Sequence, residues 1–476
     1  MDLQRSCFIM TDHEALVPKD YILRKINNAV EFSFFNRLVA PSYSDDPRGR
    51  TPTEPEKVLR LLLIAYLNDL SIRAVCKETR LHIGYQWFSG FLLPSEVPDH
   101  STISKLKNEQ WSKLSPALWV ETLNKIVDRC IEVGLVSGKH LATDGTSVRA
   151  DASITSYQAI YPKRTVEEFV AEVEAELSVE EQEEEKSSGN NSTNIEVANN
   201  PPAEKEKKTE QPDRRGEKDF HGQKITNQTH RSTTDPDALL YRKAKGQEAH
   251  PRYIDQNTID LKSRVILAAG MYPARTSSET TAALQHLDLI QERFGIDVET
   301  ISADTLYGST SMARETDKRG VTLHAPLLAD EKKEQLPVYK NKTKIPRLLE
   351  KRCKKTSNIN LRNRQREIQK TKAYTLSQRL RIRIEHTFAE AKEHHGLRRS
   401  RYRTLCKQQE QANLTALVQN LKRLVSFTSR SKAGAVSIAV NKTGNSLIKT
   451  MFGYNISFNN TGNWFYPISF ENFSAV

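Results

Sequence analysis

The 476-residue chain has few cysteines, few aromatics and no long apolar run. Its five cysteines, Cys7, Cys76, Cys130, Cys353 and Cys406, are scattered and odd in number. No CxxC pair and no Cys/His spacing of a zinc site occurs, so neither a disulfide framework nor a structural zinc is expected. No uninterrupted apolar stretch approaches the roughly 18–20 residues of a membrane span. The opening residues carry Asp2, Asp12 and Glu14 rather than a basic segment followed by an apolar one, so no secretory leader is readable. A reducing cytoplasm is the expected compartment. Aromatics make up 7% and hydrophobic residues 37%, enough for a sizeable core accompanied by polar segments. Acidic charge is in deficit: 59 Asp+Glu face 71 Lys+Arg, for a net charge of +12. A basic chain of this length points to a polyanionic partner, most simply nucleic acid.

Residues 15–128 read as helical. In the stretch after Thr53, Val58, Leu61, Leu62 and Ala65 recur at helical spacing, with Thr53 as a cap and Pro55 in the first turn. The pattern breaks at Asn68-Asp69, resumes from Ser71 to Arg80, and a further helix starts at His100. This succession resembles a helix-turn-helix arrangement, although an ordinary bundle without DNA contact has the same pattern.

From about 137 the pattern becomes mixed. Short apolar runs around 140–148, 252–274 and 298–303 read as strands, with a turn near Lys262-Ser263. Residues 278–294 read as an amphipathic helix closed by Gly295. Strand, hairpin, helix and strand in that order indicate a mixed α/β sheet.

Two segments interrupt it. The polar insertion at 163–228 carries an acidic run at 180–185 and Ser/Asn/Pro/Lys-rich sequence, a composition expected to stay disordered. The basic insertion at 329–378 opens a block, Lys340 to Arg403, with 21 Lys/Arg against 5 Asp/Glu, as suits a phosphate backbone. The tail, 429–476, is rich in Asn, Ser and Phe and has no functional reading.

Three acids stand out by context. Asp144 follows a strand-like run in Thr-Asp-Gly-Thr, and Asp304 follows another in Ala-Asp-Thr-Leu-Tyr-Gly. Glu385 lies in a helix ending near Gly396. At 100° per residue, Arg381 and Lys392 share the face of Glu385, beside an apolar stripe of Ile384, Phe388 and Ala391. Carboxylates at two strand ends and on a facing helix are suited to hold divalent cations. Surface ion pairing along the helix would produce the same spacing. His140, His394 and His395 lack a third ligand at set spacing. Asp235-Pro236-Asp237 reads as a turn and Asp151 as a solvent-facing acid.

These residues resemble the insertion-sequence transposases of the DDE superfamily, over about 15–425. The most specific element is Arg381, three residues, Glu385, six residues, Lys392, which is similar to that family's Arg–Glu–Lys signature; the Tyr often found before it is Gln378 here. Residues 231–238 also resemble a segment of this branch. Asp144 and Asp304 are 160 positions apart, a wide gap that the polar insertion largely accounts for.

The resemblance implies an α/β fold, with a ribonuclease H-like mixed-sheet catalytic domain (136–425) preceded by an all-α N-terminal domain (15–128). It implies Asp144, Asp304 and Glu385 as catalytic metal ligands for two Mg2+ ions, with Mn2+ as a substitute. Arg381, Lys392, Arg398 and Arg399 would contact DNA. Partners would be terminal inverted repeats and target DNA, bound by a homodimer or higher oligomer, with no membrane. The implied chemistry is strand cleavage and strand transfer. A catalytically inactive DNA-binding protein and a metal nuclease without strand transfer are the alternatives.

The polar insertion carries the first prediction. Limited proteolysis should cut first between residues 180 and 215, and deleting the segment should leave the thermal midpoint nearly unchanged. A large loss of stability on deletion would show that the insertion is a structural element.

Overall fold

The structure is a computed structural model that describes residues 12–43, 53–160, 225–242, 248–274, 276–327, 334–337 and 346–440. Residues 163–224 of the polar insertion, and the tail beyond 440, lie outside the described residues.

Among the described residues, the N-terminal part contains eight α-helices: α1 (His13–Leu16), α2 (Ile22–Ala29), α3 (Phe34–Val39), α4 (Pro55–Leu67), α5 (Ile72–Thr79), α6 (Ile83–Ser89), α7 (His100–Lys105) and α8 (Ala117–Glu132). Helix α4 is apolar nearly all round, with Val58, Leu59 and every residue from Leu61 to Tyr66 buried, and so it is the central rod. Pro55 opens it as its sequence suggests, but the cap is Glu54, without a side-chain bond, rather than Thr53. The break falls at Asn68–Asp69, where Asp69 adopts φ +51°, and Ser71 caps α5 by accepting from the Ala74 N–H. Phe35, Trp111 and Trp119 pack together in the core, Trp111 standing edge-on to the other two rings.

The sheet has the order β6-β5-β1-β7-β8, made of β1 (His140–Arg149), β5 (His250–Asp260), β6 (Ile266–Pro273), β7 (Thr300–Ser302) and β8 (Thr322–His324). Strand β4 (Leu239–Tyr241) joins the start of β5, while β2 (Tyr157–Ala159) and β3 (His230–Ser232) form a separate pair. β5 runs antiparallel to β1 and β6, whereas β1, β7 and β8 are parallel. Three antiparallel strands followed by two parallel ones is the ribonuclease H-like arrangement.

Helix α9 (Thr276–Phe294) packs on β5 and β6, and α10 (Thr310–Lys318) crosses from β7 to β8. The basic stretch is helical from 346, as α11 (Pro346–Gln369) and α12 (Lys372–Leu380). Part of its charge is paired, since Arg362 and Arg366 bind Glu334 and Arg364 binds Asp317. Next come α13 (Ile382–His394) and α14 (Leu405–Val440).

By its internal contacts the chain divides after Val425. Before that point the main hydrophobic core extends from α4 and α8 through β1, β6 and β7 to Leu414, Leu417 and Leu421 of α14, with two smaller clusters around Val148 and Leu239. Helix α14 also finishes the sheet edge. The Asn420 side chain exchanges two 2.8 Å hydrogen bonds with the backbone of Ile266, and Gln409 exchanges two with Met271 and Ala269. Side-chain amides thus stand in for a missing strand along β6.

The helical region is tied to the 395–410 segment by polar contacts. His395 bonds the Tyr66 carbonyl at 2.8 Å, and Arg401 donates to the Leu70 carbonyl and to Asp69, both at 2.7 Å. Lys107 forms a buried ion pair with Glu410 and donates to the Tyr402 hydroxyl. Breaking a buried pair leaves one charge uncompensated. Lys107→Ala should therefore cost about 3–5 kcal/mol in urea unfolding. Lys107→Met combined with Glu410→Leu should recover most of that; a single mutant as stable as wild type would mean that solvent reaches Glu410.

Candidate active site

Strand β7 pairs with β1 only as far as Ala142, so that edge of β1 stays open until Arg149, where residues 398–400 pair with it. Asp144 lies on this unpaired stretch. Successive strand residues face opposite sides. Asp144 reaches Arg381 at the start of α13 and Thr146 reaches Lys392 on it, while Gly145 faces α9. A Cβ at Gly145 would lie 3.0 Å from a Glu279 carboxylate oxygen and 2.9 Å from Gln256 and Ile254, so the glycine leaves room for these side chains.

Asp304 follows β7 after one intervening residue, Ala303. Its carboxylate accepts from the Leu306 N–H at 2.9 Å and caps the turn Thr305–Tyr307. Gly308 closes that turn so near the chain that a Cβ would stand 1.7 Å from the Pro326 carbonyl oxygen. This close approach explains the glycine of the Ala-Asp-Thr-Leu-Tyr-Gly run.

Glu385 lies in the first turn of α13 with its side chain half exposed. The apolar stripe beside it, Ile384, Phe388 and Ala391, is buried as its spacing predicts. The helix is not continuous through Arg381, however. One helix ends at Leu380 and the next starts at Ile382, with Arg381 at the joint. From there its guanidinium donates to Glu385 at 3.0 Å and to Asp144 at 3.4 Å. Gln378, which stands where the Tyr was expected, donates to the carbonyls of Ala303 and His324 and anchors α12 over the ends of β7 and β8.

Asp144 and Glu385 therefore meet at one guanidinium, and Asp304 acts on Asp144 through its charge. Burial, reinforced by Asp304 and more weakly by Glu385, pushes the Asp144 carboxyl up to about 6, although the Gly145 N–H and Arg381 oppose the rise. Among the described residues, no group of three His, Cys, Asp or Glu side chains stands ready to hold a metal ion.

The expected DNA-contacting residues all have protein partners. Lys392 donates to the Thr146 hydroxyl at 2.6 Å. Arg398 pairs with Glu393, and Arg399 with Asp151 at 2.7 Å. Asp151 also holds Arg403, so it is an ion-pair hub rather than a plain solvent-facing acid. A cleft of about 370 Å³ beside it is lined by Lys107, Arg401, Arg403 and Lys407.

Two acids, Asp255 and Glu279, escaped the sequence reading, and Asp235 is more than the turn it opens. The turn is there, with the Asp235 carbonyl accepting from the Ala238 N–H at 3.2 Å, but the side chain is also fully buried and accepts from the Tyr253 hydroxyl at 2.7 Å and the Thr404 N–H at 3.1 Å. Asp255 is buried opposite Thr146; burial pushes its carboxyl up to about 7, with Lys392 pulling the other way. Glu279 is buried beneath Gly145. A buried acid is visible in a sequence only once strand register is known. The sole local cue to Glu279 was its position in the first turn of a helix, where acids are common.

Two family models match the chain. The transposase domain DUF772 covers residues 11–109, and the transposase DDE domain covers residues 192–421. The second match takes in Asp304 and Glu385 and begins after Asp144. On these matches the chain belongs to the DDE transposases of insertion sequences, and that membership brings dependence on a divalent metal. No curated protein matches. A solved structure, titled "Mos1 transposase paired-end complex with left transposon end", aligns over 59% of this chain and 61% of its own, with 9% identity and a TM-score of 0.16. The chain thus spans about three fifths of that structure's length, and a likeness this slight carries no argument. Among the described residues, no helix is long and apolar enough to cross a membrane.

The raised Asp144 carboxyl gives a stability prediction. A carboxylate held above its ordinary value of 3.8 penalises the fold once it ionises. The penalty is absent below about pH 4, grows through pH 6 and is complete above it. Without metal, Asp144→Asn should stabilise the protein by about 2–3 kcal/mol at pH 7.5 and by almost nothing near pH 4. Urea unfolding in chelator measures the difference. An effect independent of pH would mean that the carboxyl is not strained by its neighbours.

Proposed function

We propose that the chain is the DNA transposase of an insertion sequence, binding the terminal inverted repeats of its element, cleaving there and transferring the strand to target DNA. The observation that carries this reading is the meeting of Asp144 and Glu385 at one cation, the Arg381 guanidinium, with Asp304 close enough to raise the Asp144 carboxyl.

The donor set fits magnesium. It consists of hard carboxylate oxygens, and two of them already share a positive group that marks where a cation is favoured. Asp144, Asp304 and Glu385 would hold two Mg2+ ions, which Mn2+ can replace. When bound, the ions lower the pKa of a water and stabilise charge on the phosphodiester under attack.

The chain's own residues do the rest. Asp304 is fixed by its turn cap and Asp144 by the β1–β5 ladder, so both carboxylates are oriented before DNA arrives. Glu385 is carried on a helix whose other side is anchored in the core, which leaves its half-exposed carboxylate free to adjust. Arg381, Lys392, Arg398 and Arg399 would contact DNA phosphates, and of these Arg381 touches Glu385 itself. Two element ends must be handled together, which favours a homodimer or larger assembly on DNA.

Cleavage of labelled element ends with and without Mg2+ tests the reading. Glu385→Gln keeps size and hydrogen bonding but loses the charge, so cleavage should fall by at least about 100-fold while repeat binding persists. Arg381→Ala should weaken binding and reduce its salt dependence by about one counterion. Cleavage at the wild-type rate in the glutamine variant would move the catalytic role away from Glu385.

A further inference from the structure

A row of basic side chains leads away from the acids along β1. Arg381 bonds Asp144, Lys392 bonds Thr146, and Arg399 and Arg403 both bind Asp151, just past the end of the strand. The row ends at the cleft of about 370 Å³. One wall of the cleft is the 401–407 segment. The other comes from the N-terminal part, with Ile72 at the start of α5, Ser104 on α7 and Asn108 beyond it.

The charge around this cleft is out of balance. Lys107, Arg401, Arg403 and Lys407 line it together with one acid, Asp151. Lys107 is neutralised by buried Glu410 and Arg401 by Asp69, so these two hold the walls together. Asp151 is divided between Arg399 and Arg403, both exposed, and leaves one positive charge over. Lys407 is exposed and has no ion-pair partner among the described residues. Arg403 and Lys407 project from anchored backbone, because Thr404 and Leu405 donate their N–H groups to Asp235 and Asp237. The same bonds occupy the start of α14, so the attraction for an anion comes from side chains and not from the helix terminus. Ser104, Asn108 and Thr404 add side-chain donors. Cations fixed around a polar space suit an anion, and a row of them suits a linear polyanion better than a small ion.

β1 sets the spacing. From Asp144 to Arg149 the strand spans roughly 17 Å, and continuing to Asp151 brings the distance to about 23 Å. At about 3.4 Å per base pair this corresponds to about five to seven base pairs.

We infer that the cleft seats a backbone phosphate of the element's DNA, about five to seven base pairs from the bond that is cut, with Arg403 and Lys407 as its contacts. The inference rests on the transposase reading proposed above. It gives the N-terminal helices a share in holding the DNA at a set distance from Asp144 and Glu385.

The test is binding of a labelled element-end duplex to the full-length chain in chelator, over a series of salt concentrations. Wild type, Arg403→Ala, Lys407→Ala and Lys318→Ala are compared, the last changing an exposed lysine on α10. A set of the same duplexes carries a single uncharged methylphosphonate linkage, moved stepwise along each strand. Arg403→Ala and Lys407→Ala should each bind at least about threefold more weakly and lower the salt dependence by about one counterion, whereas Lys318→Ala should bind as wild type does. The neutral linkage that weakens wild type but not Lys407→Ala should lie about five to seven nucleotides from the cut. Wild-type affinity and salt dependence in both cleft variants overturn the inference. So does a loss in Lys407→Ala that is the same at every methylphosphonate position, since the lysine would then contribute only net charge, or a matching linkage elsewhere on the duplex. If inorganic phosphate raises the thermal midpoint of wild type but not of Lys407→Ala, and both bind DNA equally, the cleft is a small-anion site and the inference is wrong. If wild type binds element ends no more tightly than an unrelated duplex, the transposase reading itself fails and takes this inference with it.

Discussion

Everything at the candidate site depends on a ladder that stops early. β1 and β7 pair through three residues, His140 to Ala142, while β1 runs on to Arg149 against β5. Had the parallel ladder continued, the edge next to Asp144 would be occupied by β7 backbone. Because β7 instead ends at Ser302 and turns, Asp304 is delivered beside the open strand. Like charges then gather where the sheet has no further backbone to pair, and the cost appears in the raised Asp144 carboxyl. Arg381 relieves part of that repulsion by bridging Asp144 and Glu385.

The second requirement is that α13 hold its register against β1. Burial of Ile384, Phe388 and Ala391 sets its rotation. Lys392 on Thr146 fixes its far end, beside buried Asp255. After the helix, the chain lies along the end of β1, with the Arg149 N–H on the Arg398 carbonyl and the Ser400 N–H on the Arg149 carbonyl. His395 and Arg401 then carry the connection into the N-terminal helices through Tyr66, Asp69 and Leu70. The break that ends α4 is therefore more than a turn between helices: its left-handed Asp69 and the Leu70 carbonyl are the socket for Arg401. A distortion at 66–70 can reach Glu385 through a short series of hydrogen bonds.

Much of this was legible in the sequence because it is local. Strand-to-glycine transitions around Asp144 and Asp304, and the helical spacing of Arg381, Glu385 and Lys392, require only nearest-neighbour periodicity. What stayed hidden depends on pairing between distant segments. Asp255 is set opposite Thr146 by the β1–β5 register, and nothing within either strand specifies that register. Asp235 reads as a turn by composition, yet it is buried because the 403–405 segment and Tyr253 converge on it. The joint at Arg381 was missed for another reason. The sequence there has no proline or glycine, and the helices separate because α12 is held to Ala303 and His324 by Gln378 while α13 is held to β1.

Buried acids distributed in this way are poor material for stability. Asp144, Asp255 and Glu279 are all held well above the ordinary carboxylate range, chiefly by burial. A fold selected for stability alone would replace such groups by apolar ones of similar size, which is often neutral or favourable. Their cost is tolerable here because the surroundings are over-determined: the β1–β5 ladder, the α14 amides on β6 and the shared core hold the backbone whether or not the carboxylates are neutralised. Strain concentrated on side chains at the end of a rigid sheet, rather than spread through its backbone, is the arrangement from which a cation recovers the most free energy on binding. The sheet end that is least favourable as it stands is, for that reason, where the metal binding proposed above would release the most strain.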